Sequence, residues 1–272
     1  SISTNYWFNR DKNAVEYCTQ DDDRKTIGSN GVVAGAQGMS PKLFNGTTLG
    51  DELKNVDRSS RAVSIAVKDR AAILMAGKRA DQVYWLDYKN CQWVASDFYM
   101  KEIPGYVKKI NTDLADFKTK KYSWGPYKDM TYCDSNSLRT PWIGKESLKL
   151  ALAAVDDLKL GKGPDTDLLT VSLSSHDYLG HQLGPNSESL LEMSQDEDKM
   201  IGEFIQEIGK RVGMNNVFFA LTGDHGTPPS AGAVPKEKLA NENIKEEEVT
   251  NLIENSLTKE YGKPKGGKWK PG

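Results

Sequence analysis

The chain has 272 residues, which is enough to bury the core of one α/β domain, and we predict a single domain over residues 1–272. Its 36 basic and 38 acidic side chains leave a net charge of -2, so no bulk electrostatic attraction to nucleic acid or to a membrane surface is indicated. No run of about 18 apolar residues predicts a membrane span, and the opening stretch lacks the pattern of a signal peptide.

Three short apolar segments have the composition of parallel strands that are covered on both faces. They lie at residues 62–67 (AVSIAV), 167–174 (DLLTVSLS) and 216–221 (NVFFAL). Helical patterns separate them along the chain. This alternation favours a layered α/β sheet over an all-β or all-α fold.

Three stretches show apolar residues at helical spacing. The first covers residues 148–158 and is followed by Gly161 and Gly163. The second begins near Asn186 or Ser187, which are both plausible N-caps, and the third covers residues 244–257. We expect these stripes to face the core, because that is the usual role of such periodicity.

Residues 81–142 differ from the rest in being rich in tryptophan and tyrosine, with weak strand signals. We predict that this stretch is an insertion forming a cap beside the active site. The alternative is a surface excursion whose aromatic rings pack only on each other, since long insertions are not always functional.

The three cysteines, Cys18, Cys91 and Cys133, lie far apart and form no CxxC pair. This spacing supports neither a zinc ribbon nor a redox motif. One disulfide with a free thiol and three reduced thiols both remain open.

All three histidines lie in two short segments that each follow a predicted strand. The first segment reads SSHDYLGHQLGPNSE (residues 174–188), and the second reads TGDHG (residues 222–226). Because ligands of open α/β sheets collect at the carboxyl ends of strands, we expect the two segments to converge on one crevice.

Each segment contains a carboxylate close to an imidazole. Asp177 and His181 are four residues apart, so one helical turn directs both at one point, while Asp224 and His225 are adjacent in a glycine-flanked turn. This ligand set suits Zn²⁺, and two pairs predict two ions that clamp a phosphoryl group. The alternative is a histidine satisfied by a carboxylate, or a capped turn. We expect His176 to stay off the metal.

Lys68 and Arg70 follow directly after the strand at residues 62–67. On an extended segment, side chains two residues apart point the same way, so the pair offers an ammonium and a guanidinium to one phosphate. Spacing alone favours a different interpretation, a solvated pair of charges with Asp69 between them.

Several motifs together resemble one known family. They include NYWFNR (residues 5–10), AGAQGMSPKLFNGTTLGDELK (34–54), SIAVKDRAAILMAGKRAD (64–81) and the two histidine segments. In this order they resemble the bacterial phosphate-irrepressible alkaline phosphatases, zinc monoesterases of the type I phosphodiesterase and nucleotide pyrophosphatase branch of the alkaline phosphatase superfamily. The resemblance covers most of the chain and implies an alkaline phosphatase-like α/β/α sheet.

The resemblance also implies roles for individual residues. Asp177 and His181 would bind one zinc ion, and Asp224 and His225 the other. The non-bridging phosphate oxygens would be held by Asn5, Lys68 and Arg70, which reverses the interpretation of the basic pair. A zinc-activated threonine would attack phosphorus and form a phosphothreonine that is then hydrolysed. The family further implies a periplasmic or secreted protein, and we expect a monomer.

The chain departs from the family pattern at both ends. No counterpart is visible for the nucleophilic threonine and a zinc-binding aspartate before Asn5, or for a zinc-binding histidine after His225, and Thr4 does not match the nucleophile segment. We therefore expect an internal fragment that is nearly inactive by itself, since few ligands bind metal weakly.

Two other functions remain open from the sequence. One is a phosphodiesterase or nucleotide pyrophosphatase built on the same metal site. The other is a binding or scaffold domain that retained the fold and lost the chemistry.

Overall fold

A computed structural model describes residues 5–227, 246–267 and 269, and the chain divides into two compact units after Thr227. The strands are β1 (Tyr6–Asn9), β2 (Ala14–Tyr17), β3 (Thr26–Gly28), β4 (Gly31–Val32), β5 (Ala62–Ala66), β6 (Gln82–Asp87), β7 (Gln92–Ser96), β8 (Lys121–Trp124), β9 (Tyr127–Thr131) and β10 (Leu168–Ser172). The helices are α1 (Leu49–Val56), α2 (Asp69–Ala76), α3 (Gly105–Phe117), α4 (Pro141–Leu158), α5 (Ser175–Leu183), α6 (Glu188–Val212) and α7 (Glu246–Tyr261). No described helix combines the length and the apolar character that crossing a bilayer requires.

The first unit is built on a six-stranded sheet in the order β10-β5-β6-β7-β3-β4. The strands β10, β5 and β6 are parallel, whereas β7, β3 and β4 continue the sheet in antiparallel pairs. The predicted strands at 62–67 and 167–174 are thus present as β5 and β10. Every residue of β5 is buried, but β10 is only half-buried because it is an edge strand.

The sheet is covered by helices on both faces. In β5, Ala62 and Ala66 contribute to the core under α2, while Val63 and Ile65 contribute to the larger core under α3, α4 and α6. Alternate residues of a strand point to opposite faces, so an apolar run such as AVSIA needs cover on each side. The layered α/β fold predicted from the sequence is confirmed.

The predicted strand at residues 216–221 is wrong. A short 3-10 helix occupies Met214–Asn216, and the residues that follow belong to no strand. The side chains of Phe218 and Leu221 are 93% and 82% exposed. An extended segment becomes a strand only when a neighbour accepts its backbone hydrogen bonds, and no described strand pairs with this one.

Each predicted helix is present. The pattern at 148–158 lies in α4, and α6 begins after Ser187, whose hydroxyl accepts a hydrogen bond from the Leu190 amide at 3.3 Å. The third pattern lies in α7, although residues 244 and 245 fall outside the described residues. Among the described residues of this helix Leu252 is 68% exposed, so a core that covers the apolar stripe stays a prediction. Periodicity predicts a helix and not the surface that covers it.

The expectation of weak strands in residues 81–142 is also wrong for its first part. Here β6 and β7 form an antiparallel pair inside the central sheet, with Trp85 and Trp93 buried. Their tryptophans are core residues of strands that are covered on both faces. Later in the stretch, the hairpin of β8 and β9 contacts α6, where Trp124 Nε1 donates to Asp196 at 3.1 Å. A cap formed by the stretch stays a prediction.

One disulfide joins Cys91 to Cys133, and Cys18 is a free thiol that is half-buried. Of the two arrangements left open by the sequence, the structure has the single bridge. It links the turn between β6 and β7 to the segment after β9, so the hairpin is tied covalently to the central sheet.

Candidate active site

The candidate site lies at the carboxyl ends of β5 and β10, which are parallel neighbours. The chain leaves β5 through Val67 into Lys68, the N-cap of α2, and it leaves β10 into α5, which carries Asp177 and His181. Parallel neighbours end at the same edge of the sheet, so side chains on the two following segments meet there.

Three of the predicted metal ligands form one group. In α5, His181 Nε2 lies 3.0 Å from Asp177 Oδ1. His225 reaches the same oxygen from the TGDHG segment, with its Nε2 at 3.2 Å. The ligand atoms of all three residues lie within 4.8 Å of one another. The two histidine segments therefore converge, as the sequence predicts.

Asp224 lies at the edge of this group. Its carboxylate is 78% exposed, and Oδ2 is 3.7 Å from His225 Nε2. Its other oxygen, Oδ1, accepts a hydrogen bond from the His225 amide at 3.0 Å. The geometry is thus one cluster of three candidate ligands with a second carboxylate, that of Asp224, beside it, and a separate Asp224 and His225 pair stays a prediction.

The three-residue group fits a divalent cation. It combines one carboxylate with two imidazoles, a donor set that suits zinc and neighbouring transition metals. Asp177 Oδ1 is buried and accepts no well-directed hydrogen bond, although two ring nitrogens lie about 3 Å away. Asp177 Oδ1 is therefore a buried oxygen without a hydrogen bond, and it faces two ring nitrogens. A cation bound between these three atoms would satisfy the oxygen.

Lys68 connects the basic pair to this group. Its Nζ forms an ion pair with Asp177 Oδ2 and also lies over the Tyr178 ring, 4.4 Å from the centroid. Burial by itself raises the pKa of Asp177, but the hydrogen bond and charge of Lys68, with the charges of His181 and His225, lower the pKa below its ordinary value. Asp177 is therefore held as the carboxylate that a metal requires.

The pKa of His225 is shifted in the opposite direction, upward. A hydrogen bond with the Gly226 carbonyl and the negative charges of Asp224 and Asp177 raise the pKa of the imidazole. Because only the neutral ring binds a metal, cation binding at His225 displaces a proton.

The expectation that Lys68 and Arg70 share an extended segment is wrong. Helix α2 begins at Asp69, so only Lys68 is extended and Arg70 lies in the first helical turn. An acidic residue at the first helical position is favourable next to the positive end of the helix dipole. Arg70 Nη1 donates to the hydroxyl of Tyr17 at 3.4 Å, which directs it toward β2.

Asn5 lies immediately before β1 and is exposed. Its carbonyl accepts a hydrogen bond from the Cys18 amide at 3.0 Å, which attaches it to the end of β2. Among the described residues, no contact joins its side chain to Lys68 or Arg70. The structure thus brings Lys68 into the group, but its contacts leave Asn5 outside.

His176 lies outside the group of three candidate ligands, and its staying off a metal remains a prediction. Its Nδ1 is 2.8 Å from Glu197 Oε2 in α6, so the ring is paired with that carboxylate. A cavity of about 540 Å³ opens between α5 and the beginning of α6, with His176, Asp177 and Leu191 in its lining. Sequence reasoning missed Glu197 and Tyr17, because no pattern links residues so far apart in the chain.

Comparisons with known proteins give one matching family model and several relatives. The family model "Type I phosphodiesterase / nucleotide pyrophosphatase" matches residues 2–265. Alkaline phosphatase PhoV of Synechococcus elongatus is 32% identical over 259 residues, which are 83% of this chain and 46% of PhoV. A protein of Myroides odoratus named calcium-transporting ATPase is 34% identical over 247 residues, 77% of this chain and 44% of its own.

A solved structure is also similar. The crystal structure of wild-type alkaline phosphatase PafA superposes with a TM-score of 0.84 at 25% identity, covering 96% of this chain and 56% of PafA. The chain spans about half the length of the curated relatives that it matches.

Proposed function

Because the chain belongs to the type I phosphodiesterase and nucleotide pyrophosphatase family, we propose that the full-length protein hydrolyses phosphate monoesters at a metal site that includes Asp177, His181 and His225. The family membership and the fold confirm the resemblance predicted from the motifs. The observation that carries the proposal is the contact between Lys68 and Asp177, which puts a cation beside the candidate ligands. A monoester dianion has more negative charge to neutralise than a diester.

Within this site the basic residues bind the substrate phosphoryl group. The ammonium of Lys68 pairs with Asp177, so it also lies close to any phosphate that binds a metal held by Asp177. Arg70 offers a planar fork for two phosphate oxygens, and Asn5 offers an amide donor. Charge that develops on the non-bridging oxygens in the transition state is met by these donors.

We infer that the metal is zinc, with Asp177 and His181 on one ion and Asp224 with His225 on a second. When bound, zinc would supply positive charge at the phosphoryl oxygens and would lower the pKa of the attacking hydroxyl group or water. Lys68, Arg70 and Asn5 of this chain hold the phosphate beside the metal ligands. Formation of a phosphothreonine, with a new P–O bond replacing the bond to the alcohol, remains part of the proposal for the full-length protein.

We also infer that the protein works in an oxidising compartment, the periplasm or the cell exterior. The support is the Cys91 to Cys133 disulfide, because such bridges persist mainly outside the reducing cytosol.

The test uses the full-length protein with added zinc, an aryl phosphate and a bis-aryl phosphate. We expect a higher kcat/KM for the monoester. Lys68→Ala and Arg70→Ala should each lower that value by roughly 10²–10³-fold, the range for losing one transition-state charge interaction, with a smaller loss for the diester. Arg211→Ala is the matched control, because Arg211 pairs with Asp156 at 3.0 Å and is unrelated to the group of ligands.

Each other outcome selects a different function. Faster cleavage of the diester, unaffected by Arg70→Ala, would establish a phosphodiesterase. Zinc bound in near-stoichiometric amount without hydrolysis of either ester would establish a scaffold.

A further inference from the structure

The end of β2 is attached to the beginning of α2 through Asp69. The hydroxyl of Tyr17 donates to Asp69 Oδ1 at 3.2 Å, and the hydroxyl of Thr19 donates to Oδ2 at 2.7 Å. Asp69 is therefore an anchor, with both oxygens occupied, although in the sequence it is only an acidic residue between Lys68 and Arg70.

Tyr17 connects this anchor to Arg70. Its hydroxyl gives its proton to Asp69 and accepts a hydrogen bond from Arg70 Nη1 at 3.4 Å. Burial, and after it the charge of Asp69, raises the pKa of Tyr17, while Arg70 offsets only part of this. The phenol thus stays protonated, so its lone pairs face the guanidinium.

The ring of Tyr17 is itself held firmly. Tyr17 is 9% exposed, is paired with Tyr6 in the β1 and β2 ladder, and its ring centroid lies 4.9 Å from that of Tyr6. The next residue, Cys18, donates its amide to the carbonyl of Asn5 at 3.0 Å. One short segment at the end of β2 therefore contacts two of the proposed phosphate-binding residues, Asn5 and Arg70.

We propose that Tyr17 is a positioning residue that fixes the direction of the Arg70 guanidinium and so favours monoesters over diesters. An arginine side chain has many rotamers, and a fixed partner on one of its N–H groups limits them while the rest of the fork remains for phosphate. A monoester has three non-bridging oxygens for such a fork, whereas a diester has two. The inference rests on the function proposed above.

The test is Tyr17→Phe in the full-length, zinc-loaded protein. We expect kcat/KM for the aryl phosphate to fall roughly tenfold, as for a hydrogen bond to a charged group, and the affinity for inorganic phosphate, measured by calorimetry, to fall by a similar factor. The value for the bis-aryl phosphate should stay within about twofold. After Arg70→Ala, the same change should have less than about a twofold effect on the monoester.

Tyr99→Phe is the matched control. Tyr99 is partly buried, and its hydroxyl donates to the Gly77 carbonyl at 2.7 Å, at the other end of α2. It tests the loss of a tyrosine hydroxyl that contacts the other end of the same helix, and kcat/KM for both esters, the phosphate affinity and the effect after Arg70→Ala should all be unchanged.

The outcomes separate this inference from the proposed function. Equal losses on monoester and diester, or a full additional loss after Arg70→Ala, would overturn the positioning role while leaving the phosphatase intact. A wild-type protein that binds phosphate without hydrolysing esters would refute the proposed function, and the phosphate affinity of Tyr17→Phe would still decide the inference. A wild-type protein that does neither would refute both.

Discussion

Glu146 lies on the inner side of α4, although its side chain is acidic. It is 8% exposed, and its Oε2 is buried without a hydrogen bond, 3.7 Å from Lys149 Nζ. Burial raises the pKa of Glu146, and the positive charge of Lys149 offsets only part of this effect. Folding therefore makes ionisation of this carboxyl group less favourable than it is in the unfolded chain.

This environment predicts that Glu146→Gln stabilises the protein at neutral pH. A group whose pKa is raised by folding stabilises the fold below its unfolded value of about 4.3, and that contribution is lost as the pH rises through the folded pKa. At pH 7 the ionised carboxylate is a cost that the amide avoids. We expect a gain of about 1 kcal/mol in the free energy of unfolding, in keeping with one unpaired buried polar group, and almost none below pH 4.

Urea unfolding at the two pH values measures this difference. The matched control is Glu203→Gln, because Glu203 is an exposed glutamate of α6 and its substitution should have no effect at either pH. A gain of the same size at both pH values would contradict the role of ionisation.

At the residue scale, site residues of a type that is rare in the chain are easier to predict from the sequence than those of a common type. His181 and His225 can be found because histidines are few and follow strand-like segments. The bond between Tyr17 and Asp69 crosses 52 positions and joins two ordinary residue types, so no spacing rule indicates it. The same is true of the contact between Lys68 and Asp177, which depends on how β5 and β10 are paired.

Two glycines, one at the C-cap of α2 and one inside α6, differ in the room they leave for a side chain. Gly77 is the C-cap of α2 with φ +75°, where an added Cβ would overlap the Asp51 carboxylate and the Thr48 hydroxyl. That carboxylate also accepts the Lys78 amide at 2.9 Å. Gly202 lies in the interior of α6, and nothing lies within 4 Å of where its Cβ would be.

We therefore expect alanine to have effects of opposite sign at these two sites. Gly77→Ala should lower the free energy of unfolding by about 2 kcal/mol or more, through backbone strain and a displaced cap. Gly202→Ala should raise it by about 0.5–1 kcal/mol, because alanine reduces the entropy that folding must overcome in a helix. Guanidinium unfolding measures both changes, and two changes of the same sign would show that the geometry around one of the glycines is wrong.

At the element scale, periodicity predicts helices and composition alone is a weaker guide to strands. The patterns of α4, α6 and α7 are continuous over several turns, which is a local property. The apolar residues at 216–221 predict a strand by composition alone, whereas pairing is a property of two segments. The opposite error occurs at β6 and β7. Their tryptophan-containing sequences give weak strand signals, but both are strands of the central sheet.

At the scale of the whole molecule, the candidate site joins parts of the chain that share little other structure. Asp177 belongs to a well-packed helix, while His225 follows a segment that pairs with no described strand. A cation held by both would connect this segment to the core. It would stabilise the folded protein by mass action, since the unfolded chain does not present the three ligands together.

Chelation of divalent ions is therefore expected to lower the Tm of the full-length protein by about 5–15 °C, from a binding contribution of roughly 4 kcal/mol and a few degrees per kcal/mol. His225→Ala should have a lower Tm from the beginning and respond little to the chelator. His176→Ala is the matched control, since His176 pairs with Glu197 outside the ligand group, and its response to the chelator should equal that of the wild type. Thermal unfolding with and without chelator measures all three. A wild-type Tm that is indifferent to chelation, or a His225→Ala protein that responds fully, would mean that no structural cation is bound at this group.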